Sequence, residues 1–444
     1  MIDVQWTTHP EAEALVLGTL DDALGASATL ARLAERLERA TSTRLADWID
    51  HLAWPLDEDD LRAAGYAPAD LPGGVWRHPG AQLPALAPAF RRRVAIRVDD
   101  AAAFAQAQAA DAPVAGSPLS GLRLAEVGRD GGVALVGAER RSWASGLEAT
   151  ELEDDAVARA ARARDLWAQR PRHLPPPDGL ALAHETAARM VDLVGADLAA
   201  AYVMEVEREY WQRRNRAAEL QHARQDRLGL GWGNQDHHTF RSSRPAFREL
   251  MRLFGRLGFT ARERFYAGDE AGWGAQIQEH AGTGCVVFAD VDLEPDEYDV
   301  DFAAVELPES DRLRTVGLWC ALHGESILAA GMHHLEGQFD FDRLRDDLGE
   351  EGVGFMAPFS DFPHLRQAFT QAEMWPVDPA RVRALVAAGH IDEARAADFL
   401  ERGAPGSHLE NLARRGGFKG FNQRNVSKTM RATDPRRYEA VPSP

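Results

Sequence analysis

The amino-acid sequence predicts an α+β chain in which two modules of strands and helices are joined by a long helical segment. Three observations carry this. A strand–helix–strand pattern runs over residues 44–142 and returns from Gly231 onward. Between the two lies a proline-stiffened connector followed by a long helical stretch. At 444 residues the chain is long for one hydrophobic core. The expected divisions are 1–150, an N-terminal helix plus the first module; 151–228, the helical connector; and 229–444, the C-terminal module.

Residues 9–46 are rich in Ala, Leu, Glu and Arg at helical spacing, from Glu11 through Leu15, Leu20, Leu30, Leu33 and Leu37. Trp48 to Trp54 reads as a strand ended by Pro55, and Asp57–Ala64 as a short helix stopped at Gly65. Arg93–Val98 is the next strand, and Asp99 is placed to cap a helix over Ala101–Ala109. Arg123–Val127 and Val133–Val136 flank a glycine turn and form a hairpin-like pair. Helices are expected over Asp154–Ala168 and from Leu182 to about Leu228, either side of the stiff Pro171–Gly179 segment. In the last module Asp236–Arg241 reads as a strand. Pro245–Leu257 reads as a helix with proline at its start. Further strands are expected at Arg262–Tyr266, Gly274–Gln278, Cys285–Val291, Val316–Leu322, Ser326–His334 and Val353–Met356, with a helix at Phe341–Leu348. The repetition is one of pattern, without visible identity between repeats.

Forty-five per cent of residues are hydrophobic, and no apolar run approaches membrane-spanning length. The opening Met1-Ile2-Asp3-Val4-Gln5-Trp6 lacks the basic and apolar regions of a signal peptide. With Cys285 and Cys320 the only cysteines, a Cys-rich metal motif is excluded. A cytoplasmic location is the expectation. The net charge of −19 argues against nucleic acid and anionic membranes as partners. A small anionic substrate is the expected partner, with a homodimer as the candidate assembly.

The segment Asn234 to Ser242 is the richest in chemistry. As a strand it places His237, Thr239 and Arg241 on one face. An imidazole beside a guanidinium suits an anionic substrate held against a metal, one residue ligating and the other pairing with a carboxylate. Alone, His237 would read as an ordinary hydrogen-bonding histidine. Met332-His333-His334-Leu335 and Ser407-His408-Leu409-Glu410 change that, because they can complete a set of two histidines and one carboxylate. Neighbours on a strand face opposite sides, so only one of His333 and His334 can point inward.

These motifs resemble the vicinal oxygen chelate superfamily, whose folds pair βαβββ modules into a cupped sheet with a metal inside. Residues 234–242 resemble the opening motif of its 2-oxoadipate dioxygenase/decarboxylase (2-hydroxyglutarate synthase) family, Asn-Asp-His-x-Ala-Phe-Arg-Thr. Asp236, His237, Phe240 and Arg241 match; Gln235 is inserted, Thr239 replaces Ala and Ser242 replaces Thr. His333-His334-Leu335-Glu336 resembles the family's Asn-His-Leu-Thr, aligning His334 with its second metal histidine. Glu410, ahead of Arg414-Arg415-Gly416, resembles the glutamate that completes its metal site. The resemblance thus implies His237, His334 and Glu410 as metal ligands and Arg241 as the substrate-carboxylate contact. It implies Fe(II) as the metal, with Mn, Zn or Ni as alternatives, and O2 as co-substrate. The implied function is a mononuclear non-haem oxygenase acting on a small 2-oxo acid by oxidative decarboxylation and hydroxylation. Residues 44–142 look like a degenerate module of the same kind: His51 follows an Asp, but Arg97 stands where a ligand histidine is expected.

Other residues take secondary roles. Gln276 and Gln278 share a strand face, where they would either line the cup, Gln276 binding substrate and Gln278 assisting catalysis, or cross-link the sheet edges. Lys419 and Gln423, in a glycine–aromatic loop, are candidates for the far end of an anionic substrate. Gly229-Leu230-Gly231-Trp232-Gly233 follows no strand, so a nucleotide loop is not expected there. Two other functions compete with the oxygenase. One is a metal-dependent isomerase or lyase that uses no O2, with a carboxylate such as Glu279 moving a proton. The other is a cupped binding protein without chemistry.

Overall fold

The computed structural model describes residues 5–422 and 427–439; Gln423 and residues 1–4 of the opening segment lie outside the described residues. The first expected helix is two. α1 (Pro10–Ala26) ends where the Ser27 hydroxyl accepts the Leu30 N–H at 3.1 Å and starts α2 (Ala28–Thr41). β1 (Ile49–Trp54), α3 (Glu58–Ala63), β2 (Ala67–Pro68), β3 (Trp76–Arg77) and β4 (Ala85–Pro88) follow. Then come β5 (Arg92–Val98), α4 (Ala101–Ala107), β6 (Val114–Ala115), β7 (Leu122–Asp130) and β8 (Val133–Arg140). Asp100, and not Asp99, caps α4 through the N–H groups of Ala102 and Ala103.

The connector holds α5 (Asp154–Ala168), α6 (Pro176–Gln212) and α7 (Arg216–Asp226). α6 kinks at Gly195, whose φ of 79° only glycine adopts cheaply. Asn215 ends the expected single helix by capping α7 through the Ala218 N–H at 2.9 Å. The C-terminal module comprises β9 (Gln235–Arg241), α8 (Arg244–Arg256), β10 (Thr260–Tyr266), β11 (Trp273–Glu279), β12 (Val286–Asp292), α9 (Thr315–His323) and β13 (His334–Gln338). It continues with α10 (Phe341–Glu350), β14 (Ser360–Phe362), β15 (Leu365–Phe369), β16 (Glu373–Trp375), α11 (Pro379–Ala387), α12 (Glu393–Arg402), β17 (Ala404–Arg414) and α13 (Ser427–Ala432).

The chain is α+β with two curled sheets, as the expected pair of cupped modules requires. The N-terminal sheet has the order β2-β3-β4-β1-β5-β8-β7-β6 and the C-terminal sheet β10-β11-β12-β9-β13-β17-β15-β14, with β16 on β17. Each sheet is itself two βαβββ units. In every unit the first strand lies parallel to the last: β1 with β4, β5 with β8, β9 with β12 and β13 with β17. Within each sheet the first strands of its two units, β1 and β5 or β9 and β13, pair antiparallel at the centre.

Three expected strands are corrected. Val316–Leu322 belongs to helix α9, because the Asp292 carboxylate accepts the N–H groups of Arg314, Val316 and Gly317 at 2.8–2.9 Å and caps it. A fully buried apolar run carries no period by which to tell helix from strand. Ser326–Ala330 is a helical turn, so the strand expected over Ser326–His334 begins only at His334. Val353–Met356 contributes one bridge, Phe355 to Thr370.

One face of each sheet is covered by helices. Leu30, Leu33 and Leu37 of α2 bury against Leu86, Ile96 and Leu135 of the N-terminal sheet. Trp167, Met190, Tyr202 and Phe254 bury against Val287, Val291 and Leu335 of the other. Each such side chain contributes about 1.5–3 kcal/mol of burial. The glycine-rich loop joins the two sheets by close approach: a Cβ on Gly233 would lie 2.1 Å from the Arg97 carbonyl oxygen. Among the described residues no single helix is long and apolar enough to cross a membrane.

Candidate metal centre

Alternation along β9 turns His237, Thr239 and Arg241 into the open face of the cup and Phe240 into the helix-side core. β13 runs antiparallel beside it, setting Glu336 opposite His237 and His334 opposite Thr239. On the far side of β13, β17 sets Glu410 against Glu336 and His408 against His334. Pairing register therefore gathers two imidazoles and two carboxylates from three adjacent strands.

The His334 Nε2 lies 2.9 Å from Glu410 Oε2, and the His237 Nε2 lies 4.0 Å from the same oxygen. One ligand atom from each of His237, His334 and Glu410 falls within 4.8 Å of the others, and so does one from each of Asp236, His237 and Glu336. Glu336 Oε2 abuts the His237 Nδ1 yet makes no hydrogen bond. All of these side chains are buried. Burial holds both imidazoles below their usual range, His334 well below, and so keeps them neutral with lone pairs available. Burial raises Glu410, and burial followed by the charges of Glu410 and Asp236 pushes Glu336 well above the carboxylate range. Two neutral imidazoles and the Glu410 carboxylate form a donor set that a divalent cation satisfies, with the Glu336 carboxylate crowded against the other nitrogen of His237.

The surrounding contacts fix these donors. Asp236 accepts from Arg414 at 3.0 and 3.1 Å, from Gln82 at 2.7 Å and from Gln338 at 3.0 Å. Despite burial, the Arg414 and His237 contacts keep its carboxyl well below the usual range. It sits 3.4 Å from the His237 Nδ1, which leaves Nε2 facing Glu410. Gln367 donates to Glu336 at 3.0 Å and Glu410 at 3.1 Å, spanning the two carboxylates. Phe288 and Phe421 pack on His237 with centroids 4.4 and 5.1 Å away, and Phe369 packs on His334 at 5.0 Å. The Arg241 guanidinium is buried on the same face, its Nε without a hydrogen-bond partner and its nearest carboxylate, Asp290, 3.6 Å away. Burial pushes Asp290 up to about 7.

His237, His334, Glu410 and Arg241 are thus brought to one cup. Gln276 and Gln278 are not. They alternate with Ala275 and Ile277, which pack beside Phe288, so both amides point to the opposite face of β11; Gln276 there donates to the Glu263 carbonyl at 3.0 Å. Lys419 pairs with Glu279 at 3.1 Å. Gln423 lies outside the described residues. His333 packs against Trp319 and His408 at 5.5 and 5.2 Å between ring centroids. Glu336 and Gln367 went unread in the sequence. Glu336 had a signal, since it is two residues beyond His334 and therefore on the same strand face.

The N-terminal cup repeats this framework position by position. His51 faces Ala95, and Ala95 faces Val136, as His237 faces Glu336 and Glu336 faces Glu410. A register irregularity falls at Asp50 in one cup and at Asp236 in the other. Arg140 pairs with Asp50 at 2.7 Å, and Asp50 contacts the His51 Nδ1 at 2.7 Å, matching Arg414, Asp236 and His237. The ligands are replaced: Ala95 for Glu336, Val136 for Glu410 and Arg93 for His334. The residue in the second-histidine position is therefore Arg93, not Arg97. Glu139, near the end of β8, pairs with Arg123 and Arg141 and accepts the Ala101 N–H at the start of α4.

No family model matches the chain, and no curated protein matches it. Several solved structures do at low identity. A triple mutant of 4-hydroxymandelate synthase from Streptomyces coelicolor is 13% identical over 89% of this chain and 100% of its own, with a TM-score of 0.30. Methylmalonyl-CoA epimerase from Mycobacterium tuberculosis is 13% identical over 41% of this chain and 87% of its own, at 0.23. YdcJ from Shigella flexneri, which includes a DUF1338 domain, is 14% identical over 64% and 84%, at 0.24. At those values the reading of the site rests on this chain's own geometry.

Proposed function

We propose that the C-terminal cup is a mononuclear metal centre and that the protein is a non-haem Fe(II) oxygenase. Its substrate would be a small 2-oxo acid or related carboxylate, undergoing O2-dependent oxidative decarboxylation and hydroxylation. The observation that supports this best is the convergence of His237, His334 and Glu410 beside the under-satisfied guanidinium of Arg241. His237, His334 and Glu410 would hold the ion. When bound, Fe(II) would supply a Lewis acid for a chelating 2-oxo carboxylate and reducing electrons for O2.

The chain's own residues do the rest. Arg241 pairs with the substrate carboxylate, an interaction strengthened by its burial. Asp236, itself clamped by Arg414, keeps His237 in the orientation that offers Nε2. Gln367 holds Glu336 and Glu410 apart from solvent and in register. Phe288, Phe369 and Phe421 exclude water from the reacting carbons.

Glu336 favours a second reading, an isomerase or lyase that uses no O2. A buried carboxylate with raised proton affinity beside a metal is suited to moving a proton on an activated carbonyl compound. Elemental analysis of untagged protein purified anaerobically tests the site. About one iron per chain is expected in the wild type, lost in His334→Ala and Glu410→Ala while each keeps its fold. Metal retained at wild-type stoichiometry in either variant would remove the ligand assignment. O2 uptake with 2-oxo acids supports the oxygenase; turnover of such substrates without O2 transfers the site to the second reading.

A further inference from the structure

A cavity of about 490 Å3 lies between the two cups. Trp48, Asp50 and Arg77 line it from the N-terminal side, and Gln338, Arg414 and Lys419 from the C-terminal side. None of His237, His334, Glu336 and Glu410 is among its lining residues. Seven lining side chains are Arg or Lys and four are Asp or Glu, in a chain whose net charge is −19. Most of the acids are already committed: Asp47 to Arg44, Asp50 to Arg140 at 2.7 Å and Glu279 to Lys419 at 3.1 Å. Glu13 alone of the four makes no ion pair among the described residues.

Three cations have no such commitment; one of them, Arg415, donates to the Arg414 carbonyl at 2.9 Å. Arg77 and Arg97 form no ion pair among the described residues. Arg77 lies 4.0 Å from the Trp143 ring, on which Arg140 also packs at 3.5 Å. Burial and the Arg140 charge draw Arg77 down to about 10, the direction that a nearby anion would reverse. Arg97 projects from β5 beside the Gly233 crossing between the cups. A concave, partly apolar site of this volume lined by guanidinium groups is the form that small-ligand pockets take.

We propose that this inter-cup cleft is a second ligand site, which binds a small organic polyanion through Arg77 and Arg97. Carboxylates and phosphate esters share the recognising chemistry, bidentate charge-assisted hydrogen bonds from arginine. The cleft shares Gln82, Gln338 and Arg414 with the contacts that hold Asp236, but the proposal does not rest on the reaction assigned to the metal centre.

The test is calorimetric titration of the full chain with citrate and, separately, with inorganic pyrophosphate, each at low and high salt. Saturable binding at about one site per chain, weakened by salt, is expected. Arg97→Gln and Arg77→Gln, made singly and with thermal unfolding as the fold check, should each weaken it about tenfold or more. His334→Ala should leave it unchanged. Tighter citrate binding assigns a polycarboxylate, and tighter pyrophosphate binding a phosphate ester. The proposal is overturned if neither anion binds saturably, or if folded Arg97→Gln and Arg77→Gln bind as the wild type does. It is also overturned if His334→Ala abolishes binding, which would put the anion at the metal centre.

Discussion

Arg241 is the side chain on which substrate selection turns. Its head group is buried, lies 3.6 Å from Asp290 and 5.6 Å from the Trp319 ring centroid, and shares a face with His237. Arg241→Gln is therefore expected to leave metal stoichiometry intact. It should weaken the binding of a 2-oxo acid by about 10- to 100-fold, the loss that follows when a charge-assisted pair is removed from a buried site. Titration of the metal-loaded variant with that acid checks this, and loss of the metal together with the acid would show that Arg241 supports the ligands instead. Lysine should rescue only part of the loss, because a point charge does not reproduce the planar fork. Glu336 is the residue that alternation could have revealed and motif matching did not. Its family counterpart in the resembled motif is a threonine, so the motif drew attention away from the carboxylate.

At the scale of single elements, α9 depends on a carboxylate from another part of the chain. Asp292 ends β12 and accepts three N–H groups at the start of the helix, so its loss to Ala should cost about 1–2 kcal/mol. Burial pushes Asp292 from 3.8 up to about 6, so the folded chain holds this proton more tightly than the unfolded chain. Stability through this group then falls as pH rises from about 4 to about 6 and is level above that. Asp292→Asn removes the dependence. Urea unfolding at both ends of that window should show the variant gaining on the wild type by up to about 3 kcal/mol with rising pH. An equal difference at both pH values would show that the carboxyl titrates normally. α9 also marks where sequence reading stopped. The strand holding His237 was legible over Asp236–Arg241, within one residue of its observed bounds. The α9 run Val316–Leu322 is apolar on every side, and its cap lies more than twenty residues earlier in the chain. Gln276 and Gln278 were read correctly as sharing one face, but only the position of Phe288 shows which face it is.

For the whole molecule, the repetition seen as pattern in the sequence is a repetition of register. No alignment by identity could pair Val136 with Glu410 or Arg93 with His334; strand pairing does so directly. What persists in both cups is the Asp–His–Arg arrangement that orients the first histidine, and what differs is the set of side chains that would share an ion. His51 Nε2 accordingly stands buried without a hydrogen-bond partner. The N-terminal cup is thus a socket with its contacts removed, and the register says which to restore. A chain carrying Arg93→His and Val136→Glu should take up about a second equivalent of metal and unfold earlier than the wild type when stripped of it. Metal content that stays at the wild-type value would show that Leu147 and Val75, which pack beside Ala53 and Ala85, fill the space. A molecule with one furnished and one bare cup carries its own reference: any spectroscopic signal that appears only after refurnishing belongs to the ligands, and not to the scaffold that surrounds them.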